Sequence, residues 1–218
     1  MAEVQVVQQF MQANDLVAAE TRRTLAERGI VALNLMASPG AGKTSLILRT
    51  IAALDGRVRV GVIEGDTASR VDADRVATAG VPVVQINTGG GCHLDAPMVR
   101  SALAELPLDA IDLLLIENVG NLICPAGFAL GQSFDVVIAS VPEGDDKPYK
   151  YPGIFIQADV VVINKTDLLP YLDFDLPAFR ALVRGINPDA LIFEVSCQTS
   201  EGIEAWAAWL ATLQPQLG

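Results

Sequence analysis

Histidine occurs once in this chain of 218 residues, at position 93, and cysteine three times, at 92, 124 and 197. One histidine leaves no room for a histidine-rich metal tract. Three widely spaced cysteines do not make a disulfide framework, and they read as free thiols, buried or metal-bound. Basic residues are scarce too: 15 Lys and Arg stand against 26 Asp and Glu, for a net charge of -11. That balance argues against nucleic acid as a partner, which needs clustered cations, so any phosphate must be held by a local site. No segment reaches the roughly 18 uninterrupted apolar residues of a membrane span, and the N-terminus has neither a basic n-region nor an apolar run. These absences predict a cytoplasmic protein with no membrane partner. What is present, 51% hydrophobic and 19% charged residues, suffices for a substantial core in one α/β domain.

Residues 3 to 29 scatter Val7, Phe10, Met11, Leu16, Val17 and Leu25 among polar residues at mixed three and four spacing. This predicts an amphipathic helix or helical pair packed on the main domain, so that 1–29 is an N-terminal helical appendage. From residue 30 short apolar runs alternate with glycine turns and helical segments, over 30–37, 57–64, 81–87, 110–117, 134–140, 158–164 and 190–196. Near-continuous β-branched runs of this kind predict a mostly parallel sheet of about seven strands covered by helices on both faces. Ligands of such folds bind at the carboxyl ends of the strands. The stretch 143–153, "EGDDKPYKYPG", reads as a charged, proline-bearing loop.

The first run ends in "ASPGAGKTS", followed by the helical "LILRTIAAL". This is the tail of the P-loop pattern GxxxxGK[ST], with Ala37 in place of the first glycine. Gly40, Ala41, Gly42, Lys43, Thr44 and Ser45 are the candidate phosphate-binding residues. Backbone amides and the helix N-terminus would face the anion, Lys43 would reach the β and γ oxygens, and the Thr44 hydroxyl would ligate Mg²⁺. The alternative is a glycine-rich turn that binds nothing. Glu117, closing the fourth run in "IENVGN", takes the place of a Walker-B acid that faces Mg²⁺ directly or through water. After the second run come Glu64, Asp66, Thr67, Asp72 and Asp74. Of these, Asp66 and Asp72 are the acids expected to approach Mg²⁺ or the attacking water, without a division of roles between them, and the rest are expected to be solvated.

"NKTD", Asn164 to Asp167, follows the sixth run and fits the guanine-specificity pattern NKxD. Asp167 can accept from guanine N1 and N2 together, and adenine offers no matching donors. Lys165 would lie along the base, and Asn164 would tie this loop to the P-loop. Ser196 and Cys197 close the last run, where backbone amides can contact guanine O6. Cys197 is read as a small residue beside the base rather than as a metal ligand. The sequence shows no arginine finger and no clear residue to orient the attacking water, so slow intrinsic hydrolysis is expected.

Cys92 and His93 follow three glycines in "GGGCHLD". Adjacent residues on an extended strand point to opposite faces, so the pair could share one ion only on a turn, or could bridge to a second subunit. Taken alone, the pair is more often an incidental one at the end of a glycine turn.

Together the GKT loop, "IEGD", "GCHLDAPMV", "ENVGNLICPA", "NKTD" and "EGDDKPYKYP" closely resemble the HypB family, GTPases that help deliver nickel to [NiFe]-hydrogenase, over about residues 30–218. The family is similar to the urease accessory GTPase UreG. The resemblance implies a P-loop GTPase domain at 30–218 with a built-in metal site of Cys92, His93 and Cys124 for nickel or zinc. It implies that Lys43, Thr44, Asn164, Lys165 and Asp167 hold Mg·GTP, and that the protein forms a nucleotide-dependent homodimer. Lys147 or Lys150 could then meet the partner's nucleotide. Hydrogenase maturation proteins and the hydrogenase large subunit are the implied partners. The chain lacks the histidine-rich tract and N-terminal cysteine cluster that many members carry, which counts against a separate high-affinity nickel store. Two thiolates and an imidazole suit Zn²⁺ or Ni²⁺ and leave a coordination position open, as delivery requires. Cys124 lies on the segment that senses the γ-phosphate in P-loop GTPases, which would let ligand geometry follow the nucleotide. Three rivals stand beside this reading: a GTPase metallochaperone for urease or another metalloenzyme, a P-loop kinase of a small metabolite, and a non-enzymatic metal-storage protein with a relic P-loop.

Overall fold

The computed structural model describes residues 6–67 and 71–213, with side chains from residue 11 onward. The side chains of Val7 and Phe10, two apolar positions of the N-terminal segment, lie outside the described residues. Among the described residues seven strands form one sheet: β1 (Val31–Ala37), β2 (Val60–Asp66), β3 (Val83–Asn87), β4 (Leu113–Glu117), β5 (Phe134–Ser140), β6 (Val160–Asn164) and β7 (Leu191–Glu194). Their order is β3-β2-β4-β1-β5-β6-β7, and every pairing is parallel. Each apolar run yields one strand, several of them shorter than the run. Residues 110–112 are spent on a 3₁₀ turn (Leu108–Ala110) and on Asp112, whose carboxylate accepts from the Arg59 backbone N–H at 2.9 Å. β7 stops at Glu194 because the chain turns at Ser196, whose N–H donates to the Glu201 carbonyl at 2.9 Å.

Parallel strands must be covered on both faces, and they are. On one face α2 (Lys43–Leu54) and α8 (Ile203–Thr212) bury Leu33, Leu35, Leu115, Val136 and Trp206. Burying a large apolar side chain such as Leu35 contributes about 1.5–3 kcal/mol. The polar end of Trp206 is satisfied, its Nε1–H donating to Thr50 Oγ1 at 2.8 Å. The other face is covered by α1 (Val6–Glu27) and α4 (Ala96–Leu103) at one end of the sheet, and by α6 (Pro152–Gln157) and α7 (Leu176–Ile186) over β5 and β6. No helix among the described residues is long and apolar enough to cross a membrane.

Of the two forms expected for the N-terminal segment it is not the helical pair but the single helix, 22 residues long, since no glycine or proline interrupts it before Gly29. Gly29 takes φ 74, and the Ile30 N–H closes the helix end on the Leu25 carbonyl at 2.9 Å. Its inward face is Asn14, Ala18, Thr21 and Leu25, while Leu16 stands 70% exposed. A polar residue wins the inward place because Asn14 serves two backbone groups, accepting from the Ala96 N–H and donating to the Ala129 carbonyl, both at 2.9 Å. The charged stretch at 143–153 is also not a plain loop. It holds a 3₁₀ turn (Val141–Glu143), the short α5 (Lys147–Lys150) and the start of α6, each with a proline in its first turn.

Candidate nucleotide and metal site

β1 delivers the P-loop to the middle of the sheet, between the ends of β4 and β5. Ala37 is the last residue of that strand, so no left-handed turn is asked of it and the missing first glycine does not disturb the loop. The turn falls on Gly40 (φ 78) and Gly42 (φ 100). A Cβ at Gly42 would stand 2.4 Å from Asn164 Nδ2, so the position has no room for a side chain. Lys43 opens α2 with no side-chain cap, leaving first-turn N–H groups free to meet an anion. The loop borders a cavity of about 500 Å³ whose walls include Gly40, Lys43, Thr44, Ser45, Asp66, Asp72, Glu117 and Lys165.

Parallel pairing sets Glu117 of β4 opposite Leu35 of β1 and Glu64 of β2 opposite Glu117. The Thr44 hydroxyl donates to Glu117 Oε1 at 2.9 Å. Glu64 and Glu117 are 2% and 4% exposed, and the Oε2 of each has no hydrogen-bond partner. Burial, with Glu117 and the two aspartates nearby, pushes the Glu64 carboxyl up to about 8. Burial likewise raises Glu117 to about 7, against the pull of Lys43 and the Thr44 hydroxyl. Unpartnered carboxylate oxygens beside a threonine hydroxyl are a hard-oxygen set that fits Mg²⁺. Glu64, expected to be solvated, is instead buried, because the β2–β4 register brings it to Glu117. Arg75, one turn into α3 (Val71–Ala77), was also missed: it lines the cavity and pairs with Asp72 at 3.0 Å.

The raised carboxyls carry a pH dependence of definite sign. Their ordinary value is 4.5, so between about 4.5 and about 8 the folded chain binds protons that the unfolded chain has released. Stability from this source is full below 4.5 and is lost as pH rises through the folded values. Thermal unfolding without nucleotide or divalent cation, compared with Glu64→Gln to remove the contribution of other groups, is expected to show the wild type losing ground to the variant as pH rises. A difference that is flat or grows the other way would contradict the assignment.

The base loop is bolted to the P-loop. Asn164 Nδ2 donates to the Ala41 carbonyl at 2.9 Å, and Lys165 (φ 64) reaches the Gly40 carbonyl with Nζ at 2.7 Å. Asn164 Oδ1 accepts from the backbone N–H groups of Lys165 and Cys197, at 2.8 and 3.3 Å. Beyond Lys165, the buried Ser196 hydroxyl donates to Asp167 Oδ1 at 2.5 Å and orients that carboxylate. Arg49 of α2 holds the Cys197 carbonyl at 2.6 Å. Burial pushes the Cys197 thiol up to about 11, which leaves it a neutral small side chain, and it stands apart from the other two cysteines. Lys147 and Lys150 are held within their own chain, by Glu143 at 3.9 Å and Asp146 at 2.5 Å.

Among the described residues the His, Cys, Asp and Glu groupings able to hold a metal ion reduce to Cys92, His93 and Cys124, whose ligand atoms all lie within 4.8 Å of one another. Gly89 (φ 61) and Gly90 (φ 99) make the turn that puts both neighbours on one side. His93 Nδ1 lies 3.5 Å from Cys92 Sγ, and the ring stacks on Phe128 with centroids 4.0 Å apart. A hydrogen bond with Cys124, helped by burial, raises the Cys92 thiol, while burial lowers His93 against the pull of Asp95. All three groups come from one chain.

Two contacts join this loop to the cavity. The Leu94 N–H donates to Asn118 Oδ1 at 3.1 Å, and Asn118, fully buried, directly follows Glu117. The Leu94 side chain fills the space over Gly65, where a Cβ would come within 2.8 Å of it. On the other arm Gly120 packs against Pro39 of the P-loop, where a Cβ would lie 3.0 Å away. Asn118 is the third residue the sequence reading passed over.

A family model described as CobW/HypB/UreG, nucleotide-binding domain, matches residues 31–194. The hydrogenase maturation factor HypB of Azotobacter vinelandii is 51% identical over 207 residues, covering 95% of this chain and 68% of that protein. HypB of Escherichia coli K12 is 45% identical over 212 residues, 97% of this chain and 72% of its own length. Among solved structures, HypB from Helicobacter pylori in complex with nickel superposes with a TM-score of 0.87 at 39% identity, covering 91% of this chain and 93% of that one. HypB from Archaeoglobus fulgidus gives 0.85 at 44% identity over 91% and 97%. Sequence and fold thus agree, and the chain belongs to the CobW/HypB/UreG family of nucleotide-binding proteins.

Proposed function

We propose that this protein is a GTP-hydrolysing metallochaperone that carries nickel, or zinc, at Cys92, His93 and Cys124 and assists nickel insertion into [NiFe]-hydrogenase. The observation that carries the proposal is the joining of two sites of opposite chemistry, a hard-oxygen phosphate cavity and a soft thiolate–imidazole set, through Asn118 and the segment from Glu117 to Cys124. The metal is cargo: a three-ligand set keeps a position open for transfer.

In this reading Lys43 and the first-turn amides of α2 hold the phosphates, and Asp167, set by Ser196, selects guanine. Asn164 and Lys165 keep base loop and P-loop at fixed spacing. Thr44, Glu117 and Asp66 would hold Mg²⁺, which neutralises charge on the phosphates. Asp72 stands at the cavity edge as the candidate to approach the attacking water. The nucleotide favours a homodimer, and Lys147 or Lys150 reaches the second nucleotide only after leaving its own carboxylate partner. The recipient side is the hydrogenase large subunit with its maturation proteins, in the cytoplasm.

The test is to measure phosphate release from GTP, nickel and zinc affinity, and molecular mass, each with GDP and with a non-hydrolysable GTP analogue. Turnover, with metal affinity and mass that differ between the two nucleotide states, is the expected result. Equal affinity and equal mass in both states would sink the coupling, and no phosphate release would sink the enzymatic reading.

A further inference from the structure

Glu64 is a carboxylate that the fold itself does not employ. It is 2% exposed, its Oε2 has no hydrogen-bond partner, and it forms part of the cavity wall. Buried carboxyls in this condition are rare, since each loses hydration without compensation, and an apolar residue of like volume would stabilise the strand more. Of its two register partners, Gln85 on β3 and Glu117 on β4, the second makes the problem worse, since Glu117 also leaves Oε2 unpartnered. Alternation along β2 places Asp66 on the same face as Glu64, toward the P-loop. Three acidic side chains thus converge where the Thr44 hydroxyl already meets Glu117. Close carboxylates of this kind are stable as charges only with a cation among them.

We propose that Glu64 belongs to the divalent-cation site, holding a water molecule of the ion's shell beside Glu117 and Asp66; this rests on the Mg·GTP reading above. Mg²⁺ retains several waters and takes only one or two carboxylates directly, which leaves a set-back acid such as Glu64 the role of orienting a water rather than touching the ion. Glu64 is a positioning residue: it fixes where the cation sits, and through it how the phosphates lie.

The experiment uses the full chain with GDP and Mn²⁺ as the probe, following the ion by electron paramagnetic resonance. Glu64→Gln keeps the shape and removes the charge. Its Mn²⁺ affinity is expected to fall about 10- to 100-fold, the range found when an outer ligand is lost. Glu64→Asp, which keeps the charge one methylene shorter, is expected to recover part of that loss. GDP affinity in EDTA, which reports the P-loop and base contacts without any cation, serves as the control for an intact pocket and stays at the wild-type value. Mn²⁺ affinity equal to wild type in Glu64→Gln would overturn the proposal, as would GDP affinity in EDTA falling in step with Mn²⁺ affinity, or Glu64→Asp no better than Glu64→Gln. Absence of GDP binding by the wild type would overturn the nucleotide reading itself, a result separate from the other three.

Discussion

Asp167→Ala is expected to weaken GDP binding by about 10²- to 10⁴-fold. Two hydrogen bonds from the guanine edge to an ionised carboxylate are lost, each worth about 1.5–3 kcal/mol, or about 3–6 kcal/mol together. The carboxylate is held for that task by the Ser196 hydroxyl at 2.5 Å, and the loop carrying it is fixed by Asn164 and Lys165. Asp167→Asn separates base recognition from loop damage. Its amide can accept from N1–H but meets the guanine amino group with an amino group of its own, whereas a carbonyl at the base C2 position would be welcomed. The variant is therefore expected to lose GDP and gain xanthosine diphosphate, read by calorimetry or by displacement of a fluorescent nucleotide. Equal affinity of both variants and wild type for GDP would show that Asp167 does not read the base.

Cys124→Ala is expected to lower nickel affinity by more than about 100-fold. Losing an outer partner of a metal ligand already costs about 10- to 100-fold, and Cys124 would be a ligand itself. Its thiol lies within 4.8 Å of the other two donors, and without it only Cys92 and His93 remain. Competition titration against a chromophoric chelator, with the thiolate-to-nickel absorption bands as a second reading, gives the number. Because the thiols must shed their protons to bind as thiolates, wild-type affinity rises with pH. Asn118→Ala keeps all three donors and removes the bond to Leu94. Its expected mark is a smaller difference in nickel affinity between GDP and GTP-analogue states, not a collapse of affinity. Unchanged nickel binding in Cys124→Ala would remove the metal assignment.

Local sequence carried the parts of the site that are contiguous. Gly40 to Ser45 and Asn164 to Asp167 are single turns at strand ends, so their chemistry is written in adjacent letters. The seven apolar runs likewise each became a strand. What stayed hidden depends on pairing across the sheet. Glu64 is one acid among four in its stretch until β2 lies beside β4, and then it faces Glu117. Asn118 looks like the tail of a motif until its amide is seen to hold the loop of Cys92 and His93. The grouping of those two residues with Cys124 came from family resemblance, since no spacing rule spans a strand, a helix and a turn. The inner face of α1 was misread for another reason: Asn14 and Thr21 are buried by tertiary demands that a count of apolar residues does not register.

The strand order places the two sites unequally. β1 feeds the P-loop from the interior of the sheet, whereas the metal loop leaves β3, which lies at the edge. Cys92 is exposed there. On the proposed reading, a recipient would bring its own donor atom to the ion from the flank, adding a new bond before an old one breaks, while GTP or GDP stays seated at the centre. Loading and unloading of cargo would then not require the nucleotide to leave, so one bound nucleotide would oversee a complete hand-off.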